Sequence, residues 1–180
     1  MPQIDYRPGR KRVKWIAGLV FAVPREDRSW GVGQSAELMW PHWGHCALFS
    51  ARLQRLDAPV PPLTKHDLVA LLTVARHGLA QGYWPVIGTA PALFAKAEFP
   101  NERFAPSGYV GAVTYDYGLA EALLSAYHGI IPWNTWKDER YLDTMLAPGV
   151  PRPRSAKLLS SAERASYRKS KGYETGSGAV

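Results

Sequence analysis

Between residues 13 and 34 the chain reads VKWIAGLVFAVPREDRSWGVGQ: two short apolar runs, LVFAVP and WGVGQ, on either side of the polar REDRS. No other stretch constrains the fold as much. Two brief apolar runs joined by a five-residue polar connection predict a β-hairpin. Gly31 and Gly33 stand two apart and share one face of the second strand, where the missing side chains admit a bulky neighbour such as Trp15 or Trp30. A third apolar run, HCALFSARL over residues 45–53, alternates in part. Together the three segments predict a twisted antiparallel meander or a small open barrel.

Helical signals follow. Thr64-Lys65-His66-Asp67 has the capping-box pattern, and Leu68, Leu71, Leu72, Ala75 and Leu79 recur behind it at helical spacing. This predicts a helix with Arg76 and His77 at its negative end and Gly78 as its cap. YWPVIGTAP, residues 83–91, reads as an edge strand because of its proline, and GYVGAVTY, residues 108–115, as a further strand. Residues 92–107 between them read as loop, with a turn of helix around LFAKAEF. Asp116 is placed to cap a helix running to His128, with Leu119, Leu123, Ala126 and Tyr127 on its buried side. A third short helix is expected after PWN, capped by Asn134 or Thr135, with Asp138 and Glu139 in its first turn and Leu142, Met145 and Leu146 facing inward. SSAERASYRKS has the composition of a further helix but little apolar face. This order predicts an α+β fold: a twisted antiparallel sheet or small open barrel packed with about three helices.

The chain divides into a basic N-terminal arm over 1–12, a single α+β domain over 13–147, and a basic, partly disordered tail over 148–180. DAPVPPL at 57–63 is a rigid connector within the domain. No run approaches the roughly 18 apolar residues of a membrane span, and the N-terminus lacks the apolar core of a secretory signal. Cys46 is the only cysteine, so a reducing cytoplasm is the expected compartment. The net charge of +7 belongs to the ends: residues 1–15 carry +4, residues 148–180 carry +5, and the part between them −2. Basic ends attract anionic partners, yet solvated termini are their commoner role.

The sharpest catalytic candidate is WPHWGHC, residues 40–46, where His42, His45 and Cys46 are competent metal ligands or a nucleophile pair. No second pair of ligands stands at zinc-site spacing elsewhere, so Cys46 reads as a small buried hydrophobe. His66, His77 and His128 fall at predicted helix ends. No G-x-S-x-G, H-E-x-x-H or Walker loop is present. No motif singles out a catalytic centre, although a triad assembled from residues distant in sequence stays open, because catalytic groups need meet only in space. Nucleic-acid binding is the alternative reading, but the aromatic residues lie in the body and the positive charges in the tails, whereas a stacking platform interleaves them.

Seven tryptophans remain, four of them in close pairs, Trp40 with Trp43 and Trp133 with Trp136. Trp15 and Trp84 read as core. Trp40, Trp43 and Trp136 fall beside Pro, His, Asn and Lys, where burial is harder, and are candidates for a recognition surface.

KWIAGLVFAVPREDRSWGVGQ resembles the N-terminal signature of the immunity protein 26 family of bacterial polymorphic-toxin systems. CALFS and WPVIGTAP resemble that family's later strands, and EALLSAYHGIIPWNTWKDERYLDTML its helical segment with a PW-centred turn. The resemblance covers residues 13–147. It implies a cytoplasmic antidote, not an enzyme, that binds a cognate toxin domain one to one and blocks its active or substrate-binding site, without cofactor and without a membrane. On this reading the contact residues are Trp40, Trp43, Trp133, Trp136, Asp138, Glu139 and Arg140.

Overall fold

A computed structural model describes residues 13–173. Five antiparallel strands form one open sheet: β1 (Leu19–Pro24), β2 (Trp30–Trp40), β3 (Trp43–Leu53), β4 (Leu68–Ala75) and β5 (Val86–Thr89), in the spatial order β4-β3-β2-β1-β5. Three α-helices accompany it: α1 (His77–Ala80), α2 (Tyr117–Tyr127) and α3 (Ser161–Ser170). The fold is thus α+β, with an open sheet and not a closed barrel. The hairpin forms with Pro24 opposite Trp30, and β5 lies at the edge beside β1.

Both faces of the sheet are covered. On one, Phe21, Leu48, Leu72 and Val74 pack with Leu123 and Leu124 of α2 and with Trp84 and Trp133. On the other, Phe49 packs with Phe94 and Phe99, and Val20, Val32 and Leu53 meet the 58–63 connector. Buried Gln34 ties the next connector down, accepting from Leu93 N at 2.9 Å and donating to Pro91 O at 3.0 Å. Gly31 and Gly33 do share a face, but their close neighbours are not Trp15 or Trp30. A Cβ on Gly31 would stand 2.5 Å from Leu124 Cδ1, and one on Gly33 2.4 Å from the Phe21 ring. Trp15 packs over Gly44 instead.

Three expectations are corrected. The stretch expected to be a helix from Thr64 is a strand. Asp67 does accept from Thr64 N and Oγ1, but this box closes a single 3-10 turn, Lys65–Asp67, before β4 begins. LVALLTVA is apolar on both sides because β4 is covered on both faces, and a continuous apolar run satisfies helical spacing by default. GYVGAVTY forms turns and not a strand: Gly108, Tyr109 and Gly111 all have positive φ, and only Tyr115 pairs, with Val74. The helix expected after PWN shrinks to a 3-10 turn at Tyr141–Met145, capped by neither Asn134 nor Thr135: its N-cap position is Arg140, without a side-chain cap bond. Asn134 exchanges two hydrogen bonds with the backbone of Leu159, at 2.8 and 2.9 Å.

α2 matches its expected bounds closely, with Asp116 accepting from Gly118 N at 2.8 Å. α3 buries no residue. Its N-terminus is closed by Ser160 and Glu163, and two arginines tie it to the body. No helix among the described residues is long and apolar enough to cross a membrane.

Candidate interaction surface

The tip of the β2–β3 hairpin places Trp40 opposite Trp43. Trp43 is half-buried, whereas Trp40 is 50 % exposed. Tyr109 meets Trp40 edge to face, with ring centroids 5.6 Å apart and an interplanar angle of 86°. Tyr109 has φ 64°, a left-handed backbone that bulky residues rarely adopt and that stores strain. Beyond it Val110 is 75 % exposed and Val113 53 %. Trp40 and Tyr109 thus form an aromatic pair at the surface, and Val110 and Val113, on the segment that carries Tyr109, add exposed aliphatic side chains.

A buried polar network holds the patch in place. The His45 ring lies 4.4 Å from that of Phe99, stacked on it, with Nε2 2.7 Å from Glu102 Oε1 and Nδ1 2.9 Å from Thr73 Oγ1. Glu102 in turn accepts from the Tyr109 hydroxyl at 3.1 Å. Asn101 Nδ2 donates to Thr73 Oγ1 at 2.8 Å and to Val113 O at 2.7 Å, and its Oδ1 accepts from Val113 N at 2.9 Å. One assignment satisfies every atom: His45 donates from Nε2 to the carboxylate and accepts the Thr73 hydroxyl proton on Nδ1. Burial lowers the pKa of His45 against the pull of Glu102, consistent with a neutral ring. Hydroxyl, imidazole and carboxylate stand in line, but Thr73 is buried and already bonded to Asn101 as well as His45. The line serves as a strut for the 101–113 segment.

The second group of expected contacts lies between α2 and the 3-10 turn. Trp133 is corrected: at 0 % exposure it is core and offers no surface to a partner. Its Nε1 donates to Asp143 at 3.0 Å, and Arg152 closes on the same carboxylate from Nε at 2.9 Å. Trp136 is half-buried and stacks on Tyr141 at 6.1 Å. Arg164 of α3 donates to the carbonyl oxygens of Trp136 and Lys137 and to Glu139 at 2.8 Å, so Glu139 is partly committed to the fold. Asp138 and Arg140 are exposed, and Asp138 accepts from Arg140 N at 2.8 Å. No hydrogen bond, ion pair or ring contact among the described residues joins this group to the Trp40 patch.

Cys46 and His45 do not pair. Neighbours on a strand face opposite ways: Cys46 belongs to the α2-side core, and His45 stacks on Phe99 on the other side. Burial pushes the Cys46 thiol far up, and His42 is exposed at the hairpin tip. Among the described residues no three His, Cys, Asp or Glu side chains converge as metal ligands would. Glu102, Tyr109, Val110 and Val113 were missed in the sequence. The available signal was the GYVG motif, whose flanking glycines mark an aromatic-aliphatic pair carried on a turn.

No family model, no curated protein and no solved structure matches this chain.

Proposed function

We propose that this chain is an immunity protein: a cytoplasmic antidote that binds a cognate toxin domain one to one and occludes its active or substrate-binding site. The observation that carries the reading is the Trp40 patch, with its half-exposed tryptophan, strained tyrosine and two exposed valines. Large aromatic and aliphatic side chains on a backbone fixed by buried hydrogen bonds lose little entropy on binding, as interface anchors require. The order of the hairpin, third strand and PW-centred turn supplies the resemblance to immunity protein 26. The exposed Asp138 and Arg140 would add charge complementarity, which governs partner choice more than affinity.

The nucleic-acid alternative rests on the basic tails. Of the seven Lys and Arg residues between 148 and 173, Arg152, Arg164 and Arg168 are committed to Asp143, Glu139 and backbone carbonyls.

The test is co-purification of the tagged protein from its native bacterium, followed by co-expression with the captured protein. A stoichiometric partner that is toxic alone and neutral in the presence of this chain is the expected result. Val110→Asp should lower partner affinity at least tenfold and weaken rescue, while Cys46→Ala leaves both intact. Nucleic acid in place of a protein partner would overturn the reading, and full rescue by a Trp40→Ala/Val110→Asp double variant would move the contact surface away from the Trp40 patch.

A further inference from the structure

The turn that joins β1 to β2 carries two features that cost energy. Arg28 sits at φ 66°, in the left-handed region. Arg25, only 5 % exposed, turns its guanidinium into the interior, where Nη2 donates to Ser29 Oγ. Neither Nε nor Nη1 has a partner among the described residues. Nη2 carries two hydrogens, one aligned with that of Nε and one with that of Nη1. Ser29 takes one of them. The other leaves a complete two-donor edge of the guanidinium unused.

A second orphan lies close by. Glu26 N donates to Ser125 Oγ at 3.2 Å, which seats the turn against the end of α2, and His128 follows Ser125 by about one helical turn. His128 Nε2 is buried and also lacks a partner among the described residues. The charges around it are mainly positive. Burial, and then the Arg25 and Arg52 guanidiniums, hold the His128 imidazole deprotonated down to about 4, with Asp27 pulling the other way. Asp27 is already engaged, accepting from Ser29 N at 3.1 Å and from Arg52 Nη2 at 2.7 Å. Burial and Arg52 bring Arg25 itself down to about 10.

We propose that Arg25, with His128 beside it, is a binding site for a small oxyanion, a carboxylate or a phosphate, that enters when the turn opens. A planar guanidinium edge matches two oxygens of either group, and an imidazole with its proton on Nε2 adds a third donor. Buried charges in native proteins are paired or hydrogen-bonded, because an isolated one is strongly destabilising. The unused edge is closed to solvent, so entry requires the exposed Glu26, Asp27 and Arg28 to swing aside. Release of Arg28 from its left-handed backbone favours that movement. The site makes no use of Trp40, so its failure would leave the immunity reading standing, and the converse holds.

The test titrates the full chain with phosphate, acetate and chloride at matched ionic strength. Phosphate or acetate should raise Tm saturably, by about 4 °C at ten times the half-saturating concentration. The Arg25 Nε–Hε and His128 imidazole resonances should move with the same midpoint. The more effective of the two anions identifies the ligand class. Arg25→Leu should abolish the rise, and if that variant does not fold, the two resonances in the unaltered protein decide. An equal rise with chloride, a rise that survives Arg25→Leu, or resonances that stay still would overturn the site.

Discussion

At the scale of single residues, Glu121 couples the interior to pH. It lies on α2 and accepts from Trp84 Nε1 at 2.9 Å. Burial, with Asp116 and Glu26 acting in the same direction, raises its pKa from 4.5 to about 7, against the Trp84 bond that lowers it. Below pH 4.5 the carboxyl is protonated in both the folded and the unfolded chain. Between 4.5 and 7 the unfolded chain ionises first, so stability falls as pH rises through this window and levels off above it. The loss is on the order of 3 kcal/mol. Glu121→Gln keeps an acceptor for Trp84 and cannot ionise. Thermal unfolding should show it more stable than the parent at pH 8 and equal at pH 4.5; equal stability at both would place Glu121 in water. His128 acts on the acid side. Its folded pKa lies below its unfolded value, so its contribution is intact above about 6.5 and is lost as pH falls through about 4.

At the scale of elements, α2 and β4 show what was legible in the sequence and why. α2 has a cap, an apolar stripe and a terminating glycine that agree with one another, and the structure follows them. β4 offered a cap and an apolar spacing that also looked helical, but the cap closes one turn and the spacing comes from burial on both faces. Local signals identify an element only when its two sides differ. α3 is the converse case. SSAERASYRKS has no apolar face, yet it is helical and tied to the body, with Arg164 and Arg168 reaching the carbonyls of Thr135, Trp136 and Lys137, partners more than 25 positions away in sequence. Nothing local encodes that. The double variant Arg164→Ala/Arg168→Ala should therefore lose amide-exchange protection over residues 161–170 while β2 and β3 keep theirs. Unchanged protection of α3 would show that its cap suffices. Ser160→Ala, which removes that cap, should cost α3 about 1 kcal/mol, readable in the same exchange profile.

At the scale of the whole molecule, the tryptophans divide into those that hold the fold and those that face out. Trp84 and Trp133 are fully buried and Trp15 nearly so, whereas Trp40 stands half out of the surface on a network that begins at Thr73 in β4. The sequence surroundings separate Trp15 and Trp84 from Trp40, but the pairing of Trp133 with Trp136 hides that only the first of those two is core. Their variants should separate stability from recognition. Trp133→Ala opens a large cavity and releases Asp143 from a buried donor, which should cost roughly 3–5 kcal/mol, with Tm and partner binding falling together. Trp40→Ala removes a side chain whose only ring contact among the described residues is with Tyr109, so the change in stability should stay within about 1 kcal/mol. Its affinity for the captured partner should nevertheless fall by about 30-fold or more, as for a hot-spot aromatic. Chemical denaturation and titration of the same two proteins read both quantities. If Trp40→Ala unfolded the chain, its patch would belong to the core; if it bound normally, recognition would lie elsewhere, with the exposed Asp138 and Arg140 the next residues to exchange.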